Sequence, residues 1–179
     1  MGLPAAARTG QPPLRLLLLV LLIGGAGAQC SGARYVKMTS TVSYNGALER
    51  LGVAELRVFS PAGANIALNQ PVALSASGTG PGSYCVDGNT ATMCDPFPTG
   101  GAAAFLTVDL GAAVTVSSVT MVGRMDSYWG DNWDWRNNGA IITLLDASSN
   151  VLASATLGSP CSVCVRPPSC TSESASTHT

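Results

Sequence analysis

The stretch from Ala64 to Thr156 decides the fold, and its clearest segments read LTVDLG at 106–111, VTMVGR at 119–124 and GAIITLLD at 139–146. In each of them apolar residues alternate with polar or small ones, which is the period of a strand with one buried face. Gly, Asn, Asp and Ser separate the segments, as turn residues do between short strands. No part of the chain combines helical periodicity with helix caps over several turns. The sequence therefore predicts an all-β fold of the sandwich or barrel type.

Two further β-type segments precede that stretch. The first reads RYVKM at 34–38, and the second covers residues 52–59. In the second, apolar residues alternate with the charged residues Glu55 and Arg57, which predicts a half-buried strand. Both segments need partners, because an open strand edge and an uncovered apolar face are unfavourable.

The order of these segments resembles the discoidin, or coagulation-factor type C, domain, and within that group the fucolectins. The resemblance implies a jelly-roll β-sandwich of the galactose-binding-domain type over residues 64–157. Residues 34–59 look like the last two strands of such a domain, although here they precede its opening. Either they fold onto 64–157 and complete one circularly permuted domain, or they end one repeat and a second, shortened repeat follows. The cost of open edges favours the permuted domain.

The two ends of the chain have compositions of their own. Arg8 and Arg15 precede an unbroken apolar run at 16–23, and small residues follow at 24–28. This pattern predicts a secretory signal peptide over 1–28 and hence a secreted, extracellular protein. A membrane anchor would need about 20 apolar residues, and this run is much shorter. Residues 158–179 are rich in Cys, Pro, Ser and Thr, so a disordered tail is expected there.

Structural disulfides are the expected state of cysteines in a secreted protein. The chain has six cysteines: Cys30, Cys85, Cys94, Cys161, Cys164 and Cys170. Cys85 and Cys94 are close enough in sequence to bridge one loop. The three cysteines at 161–170 can pair among themselves, which leaves one of them for Cys30 or for a second chain. A disulfide-linked oligomer is therefore one of the open alternatives.

The loop at 87–89 (Asp-Gly-Asn) is a candidate metal site. Two side-chain oxygens flank a glycine there, which suits a hard cation bound by a tightly bent loop. In the fucolectins the matching aspartate and asparagine bind calcium, together with main-chain oxygens and a glutamate of the last strand. The resemblance thus implies a calcium site made of the side chains of Asp87, Asn89 and Glu55 and the carbonyls of Tyr84 and Ala54. The alternative is a turn in which Asp87 and Asn89 bind only their own backbone.

The segment between Arg124 and Arg136 is a candidate ligand site, and it contains four aromatic residues: Tyr128, Trp129, Trp133 and Trp135. Arginine donates paired hydrogen bonds, and an indole offers a flat apolar face, so both suit a sugar. In the fucolectins two arginines bracket the sugar-binding loop, and the resemblance implies that role for Arg124 and Arg136. The family's histidine has no match at 95–98, so fucose itself is not implied. The alternative is that the tryptophans fill one end of the sandwich.

Nothing in the sequence assembles a catalytic unit, because the only histidine, His178, lies in the tail. With a net charge of −1, the chain lacks the excess positive charge that nucleic-acid binding needs. It also has no basic patch that would favour membrane contact. The sequence therefore predicts a secreted, lectin-like module that binds a glycan ligand and is not an enzyme. The alternatives are a structural matrix or adhesion protein without sugar binding, and a module that binds phospholipid headgroups.

Overall fold

The computed structural model describes residues 29–41, 43–44, 47–124 and 136–157. These residues include a short 3-10 turn, Gly82–Cys85, and nine strands: β1 Cys30–Thr39, β2 Ser43–Tyr44, β3 Ala47–Leu48, β4 Val53–Phe59, β5 Val72–Leu74, β6 Phe105–Val116, β7 Ser118–Gly123, β8 Ile141–Leu145 and β9 Val151–Thr156. The all-β prediction is confirmed. Within this part of the chain no helix has the length and apolar character to span a bilayer. The expected signal peptide, 1–28, and tail, 158–179, lie outside the described residues.

The larger sheet has five antiparallel strands in the order β5-β6-β1-β8-β9. β1 is its central strand, with Lys37 opposite Thr107 of β6 on one side and opposite Thr143 of β8 on the other. The inward-facing residues of β1 are fully buried, and they are Cys30, Ala33, Val36 and Met38. The first strand of the chain thus pairs with strands that lie far along the sequence.

A second, two-stranded sheet consists of β4 and β7. These strands are antiparallel, with Leu56 opposite Met121 and Val58 opposite Val119. Their buried side chains belong to the same apolar cluster as those of β1, β6 and β8. The two sheets therefore enclose one hydrophobic core, as the layers of a β-sandwich do.

β4 differs from the half-buried strand that its alternation predicts. Its first four residues, 53–56, are all buried, and the side chain of Glu55 is fully enclosed. The second face of β4 is covered by the loop that contains the 3-10 turn, where Cys85 Sγ lies 3.4 Å from the Val53 carbonyl oxygen. The alternation of apolar and charged residues shows only which side chains share a face of the strand. It does not show whether a loop covers the second face.

A disulfide between Cys85 and Cys94 closes this loop, as the sequence predicts. The two Cα atoms are 5.4 Å apart, and both cysteines are fully buried. Cys30 is also disulfide-bonded and buried. The remaining cysteines, Cys161, Cys164 and Cys170, lie outside the described residues. The loop over β4 is thus fixed covalently as well as by packing.

Replacing Cys85 and Cys94 together with alanine is expected to lower the free energy of unfolding by about 2–3 kcal/mol. The bridge joins residues nine positions apart, and its loss frees that loop in the unfolded chain. Urea unfolding of the double variant against the parent measures the difference. A double variant as stable as its parent would mean that packing alone holds the loop on β4.

Candidate functional site

Asp95 lies on an extended segment, residues 94–97, that main-chain hydrogen bonds hold on both sides. On one side, residues 51–53 pair with this segment at N···O distances of 3.0–3.1 Å. On the other side, residues 76–78 pair with Asp95 and Phe97 at 3.0 and 3.2 Å. Because the segment is tied along both edges, its side chains have fixed directions. Asp95 is thereby placed at one end of β4 and β7.

Three arginines surround the Asp95 carboxylate, and we call this group the arginine cluster: Arg50, Arg124 and Arg136 with Asp95. Arg50 and Arg124 each donate from Nη1 to Asp95 Oδ2 at 3.2 Å. The Asp95 side chain is fully buried, whereas the side chains of Arg124 and Arg50 are 12% and 41% exposed. A buried carboxylate is stable when cations and hydrogen bonds compensate for its lost hydration.

The pKa values in the arginine cluster reflect how closely its charges are packed. Burial raises the pKa of Asp95 above its ordinary value, against the hydrogen bond and charge of Arg50 and the charges of Arg124 and Arg136. Burial also lowers the pKa of Arg136, and the charges of Arg50 and Arg124 act in the same direction. The three guanidinium groups thus influence one another around one carboxylate.

Arg124 and Asn137, on either side of the aromatic segment at 125–135, are both anchored at Gly52. The backbone N–H of Arg124 donates to the Gly52 carbonyl at 2.9 Å. From the other end, the buried Asn137 side chain donates to that carbonyl at 2.7 Å and accepts from the Gly52 N–H at 3.1 Å. Arg136 Nε lies 3.7 Å from Glu49 Oε2. The residues on either side of this segment, Arg124 and Arg136, therefore both lie near Gly52, at the N-terminal end of β4.

The structure thus brings together two of the six predicted ligand residues, Arg124 and Arg136. The other four, Tyr128, Trp129, Trp133 and Trp135, lie outside the described residues. Sequence reasoning missed four members of this region: Glu49, Arg50, Asp95 and Asn137. A signal for two of them was available, since Glu49 and Arg50 stand just before the strand pattern at 52–59. Once that strand is paired with 119–124, its N-terminal end must lie beside Arg124.

Glu55 and the loop at 87–89 form a second polar group, which we call the Glu55 site. The Gly88 N–H donates to both Glu55 carboxylate oxygens, at 3.2 and 3.1 Å. Gly88 adopts φ +80, a conformation that side chains disfavour, and this lets the loop bend towards the carboxylate. Arg57 Nε is 4.0 Å from Glu55 Oε1. Burial raises the pKa of Glu55 and the charge of Asp87 adds to this, while Gly88 and Arg57 oppose it.

The other predicted calcium ligands lie around this loop. Asp87 accepts from the Asn89 N–H at 2.8 Å and from Thr92 Oγ1 at 2.7 Å, and Asn89 Oδ1 accepts from the Ala91 N–H at 3.0 Å. These are the bonds of the turn alternative, yet each carboxylate oxygen can still accept another partner. Among the described residues no group of three or more His, Cys, Asp or Glu could hold a metal. Tyr84 lies in the 3-10 turn and Ala54 lies beside Glu55 on β4.

The outer face of the larger sheet carries a shallow concavity of about 530 Å³, and residues of four strands and one turn line it. Its centre is Lys37, flanked by the hydroxyls of Thr107 and Thr143 and by Tyr35. At one end of this face Arg34 forms a bidentate pair with Asp109 at 2.8 and 3.0 Å and lies 5.5 Å from the Tyr35 ring centroid. This face is opposite the core and is separate from the arginine cluster.

No protein-family model matches the chain, and neither a curated protein nor a solved structure does.

Proposed function

We propose that the protein is a secreted, lectin-like module of the discoidin-like jelly-roll type that binds glycans and does not catalyse a reaction. One observation carries the proposal. Arg50 and Arg124 both donate to the buried Asp95, and Arg136, which pairs with Glu49, lies at the other end of the aromatic segment at 125–135. The arginines that flank the aromatic segment in sequence are therefore held at one end of the fold.

This combination suits a carbohydrate for two physical reasons. A guanidinium held by a carboxylate loses little further side-chain freedom when it binds a hydroxyl, so the bond costs less conformational entropy. Sugars also present C–H faces, against which an indole can pack while its N–H donates to a hydroxyl. A single arginine or a single tryptophan would supply only one of these contacts.

Glycan binding is expected to weaken about tenfold or more when Arg124 and Arg136 are both replaced by lysine. Lysine keeps the positive charge but loses the planar fork that bonds two oxygens at once. A glycan array with calcium present measures the parent and the double variant, and thermal unfolding shows whether both are folded. Lys37→Ala, on the outer face of the larger sheet, is the matched control and should bind as the parent does. Equal binding by parent and double variant would remove the arginine cluster as the site.

Calcium is part of the proposal, and the Glu55 site supports it. The Glu55 carboxylate is fully enclosed and the negative charge of the partly exposed Asp87 acts on it, so a bound cation would offset both the lost hydration of Glu55 and this repulsion. Bound there, calcium would neutralise these groups and tie β4 to the loop at 87–89. Its side-chain ligands would be Glu55, Asp87 and Asn89, joined by the carbonyls of Tyr84 and Ala54.

Adding calcium is expected to raise the thermal midpoint of the parent protein after treatment with a chelator. At a free concentration of about 100 times the dissociation constant, binding to the folded state alone adds about 2.7 kcal/mol of stability. Asp87→Asn and Glu55→Gln should each lose most of this increase, because both remove a negative ligand. Asp109→Asn, whose carboxylate pairs with Arg34 on the larger sheet, is the control and should keep it. An undiminished increase in Glu55→Gln would place calcium elsewhere.

A further inference from the structure

We infer that Arg50, with Phe97 beside it, is the arginine that meets the glycan, and that Asp95 and Arg124 hold it in position. This inference rests on the proposed glycan binding and adds two contact residues, Arg50 and Phe97, and one positioning residue, Asp95. Sequence reasoning selected none of the three. Their arrangement follows from the pairing of residues 94–97 with the start of β4.

Exposure separates the three arginines. The side chain of Arg50 is 41% exposed, whereas Arg124 and Arg136 are 12% and 11% exposed. A ligand from solvent has to reach an N–H group, and an almost enclosed side chain offers few such groups. We therefore assign Arg50 to direct contact with the glycan. Arg124 and Arg136 support the site from within the fold.

The guanidinium of Arg50 is held in one direction, but most of its N–H donors are not bonded to Asp95. Its Nη1 donates to Asp95 Oδ2, and its central carbon lies 5.7 Å from the Phe97 ring centroid. Within the described part of the chain these are its contacts, and a guanidinium has five N–H donors. The carboxylate sets the direction of the fork, while the remaining donors can bind acceptor oxygens.

Phe97 is itself held in place. Its backbone N–H donates to Ala76 at 3.2 Å, and Ser75 Oγ donates to its carbonyl at 2.9 Å. Gly78 lies so close that a Cβ there would come 2.9 Å from Phe97 Cδ1. The ring is thus positioned by two neighbours and is half-exposed beside Arg50. A guanidinium next to an aromatic ring presents the donor and the apolar surface that a sugar needs.

Asp95 gives a second, independent indication of a ligand. Its Oδ2 accepts from both Arg50 and Arg124, but its buried Oδ1 has no hydrogen-bond partner among the described residues. Buried carboxylate oxygens normally have a donor, and a missing one calls for an explanation. Because the Asp95 side chain is fully enclosed, a sugar hydroxyl that accepts from Arg50 would reach this oxygen through a bridging water rather than directly.

The ligand chemistry that follows is a pair of neighbouring oxygens on a sugar ring. Vicinal hydroxyls and the carboxylate of a uronic acid both offer such a pair to the fork of Arg50. Binding of a uronate would weaken with added salt much more than binding of a neutral sugar. Salt dependence therefore distinguishes the two sources.

The experiment uses the parent protein on an array that carries neutral oligosaccharides and uronate-containing oligosaccharides, at low and at high salt. Arg50→Lys is expected to weaken binding about tenfold, and Arg50→Ala should weaken it at least as much. Arg34→Lys is the matched control, since Arg34 also pairs with an aspartate and lies beside an aromatic ring. Binding by Arg34→Lys should equal that of the parent. Thermal midpoints of all four proteins confirm that the changes are not effects of unfolding.

Asp95 is tested as a positioning residue by a double-mutant cycle. If Asp95 acts through Arg50, Asp95→Asn weakens binding in the parent but changes it little in the Arg50→Lys background. Additive effects would contradict positioning. Parent-like binding by Arg50→Ala, with binding lost in the Arg124→Lys, Arg136→Lys double variant, would overturn the inference and leave the proposed function standing. Absence of binding by the parent to every glycan would overturn both.

Discussion

Replacing Asp95 with alanine is expected to lower the free energy of unfolding by about 3–5 kcal/mol, the largest single-residue effect that the arginine cluster should show. The change leaves Arg124 mostly enclosed without the carboxylate that accepts its Nη1–H, and it removes a partner of Arg50. Loss of one member of a buried charge pair is costly because the charge that remains is compensated less well. Chemical unfolding in urea measures the change.

The pH dependence of stability provides the control for this prediction. Because burial raises the pKa of Asp95 above 3.8, its stabilising contribution is fully present below that value and is lost as pH rises through the raised pKa. Asp109 has the opposite sign, since Arg34 lowers its pKa and its contribution is lost as pH falls through the lowered value. Asp95→Asn should therefore change the slope of stability against pH above about pH 4, and Asp109→Asn should change it in the opposite direction below about pH 4. If the two variants changed the slope in the same direction, the assigned environment of Asp95 would be contradicted.

Asn137→Ala is expected to lower the free energy of unfolding by about 2–4 kcal/mol. Asn137 is fully buried, and its amide closes a pair of hydrogen bonds with both polar backbone groups of Gly52. Alanine removes both bonds and leaves the enclosed Gly52 N–H without an acceptor. The same change should also weaken glycan binding, because Asn137 adjoins Arg136 at the end of the aromatic segment.

An exposed asparagine provides the comparison for this second prediction. Asn150 donates from its side chain to Asp146 in the turn between β8 and β9, where water can replace the lost bond. Asn150→Ala should therefore change stability by less than about 0.5 kcal/mol. If Asn137→Ala lowered the free energy of unfolding as little as Asn150→Ala, the two hydrogen bonds between Asn137 and Gly52 would contribute little to stability. The residues that flank the aromatic segment would then need another anchor.

The all-β fold and the bridge between Cys85 and Cys94 could be predicted from the sequence because both leave local signals. Period-two alternation marks strands such as β6 and β7, and two cysteines nine positions apart in a turn-rich loop favour a local bridge. The burial of Glu55 could not be predicted in the same way. Glu55 is buried because a loop covers the second face of β4. The alternation of residues within a strand does not indicate whether a loop packs on that face.

The candidate site was predictable in part for the same reason. Arg124 and Arg136 bracket the aromatic segment in sequence, so their neighbourhood can be anticipated from chain order. Arg50 and Asp95 reach them only through the pairing of β4 with β7 and of residues 94–97 with 51–53. These contacts are non-local: the strand pattern at 52–59 brings Arg50 to Arg124 only once its pairing with 119–124 is known, and nothing in the sequence indicates the pairing of 94–97 with 51–53.

The central position of β1 has a consequence for how the molecule is made. During synthesis this strand emerges before β6 and β8, which flank it in the finished sheet. The 65 residues at 40–104 separate the end of β1 from the start of β6, so its backbone groups and apolar side chains stay without these partners while that segment is made. Such non-local pairing slows folding and exposes the nascent chain to aggregation. A chaperone that shields β1 until β6 has emerged is therefore expected to raise the yield of folded protein.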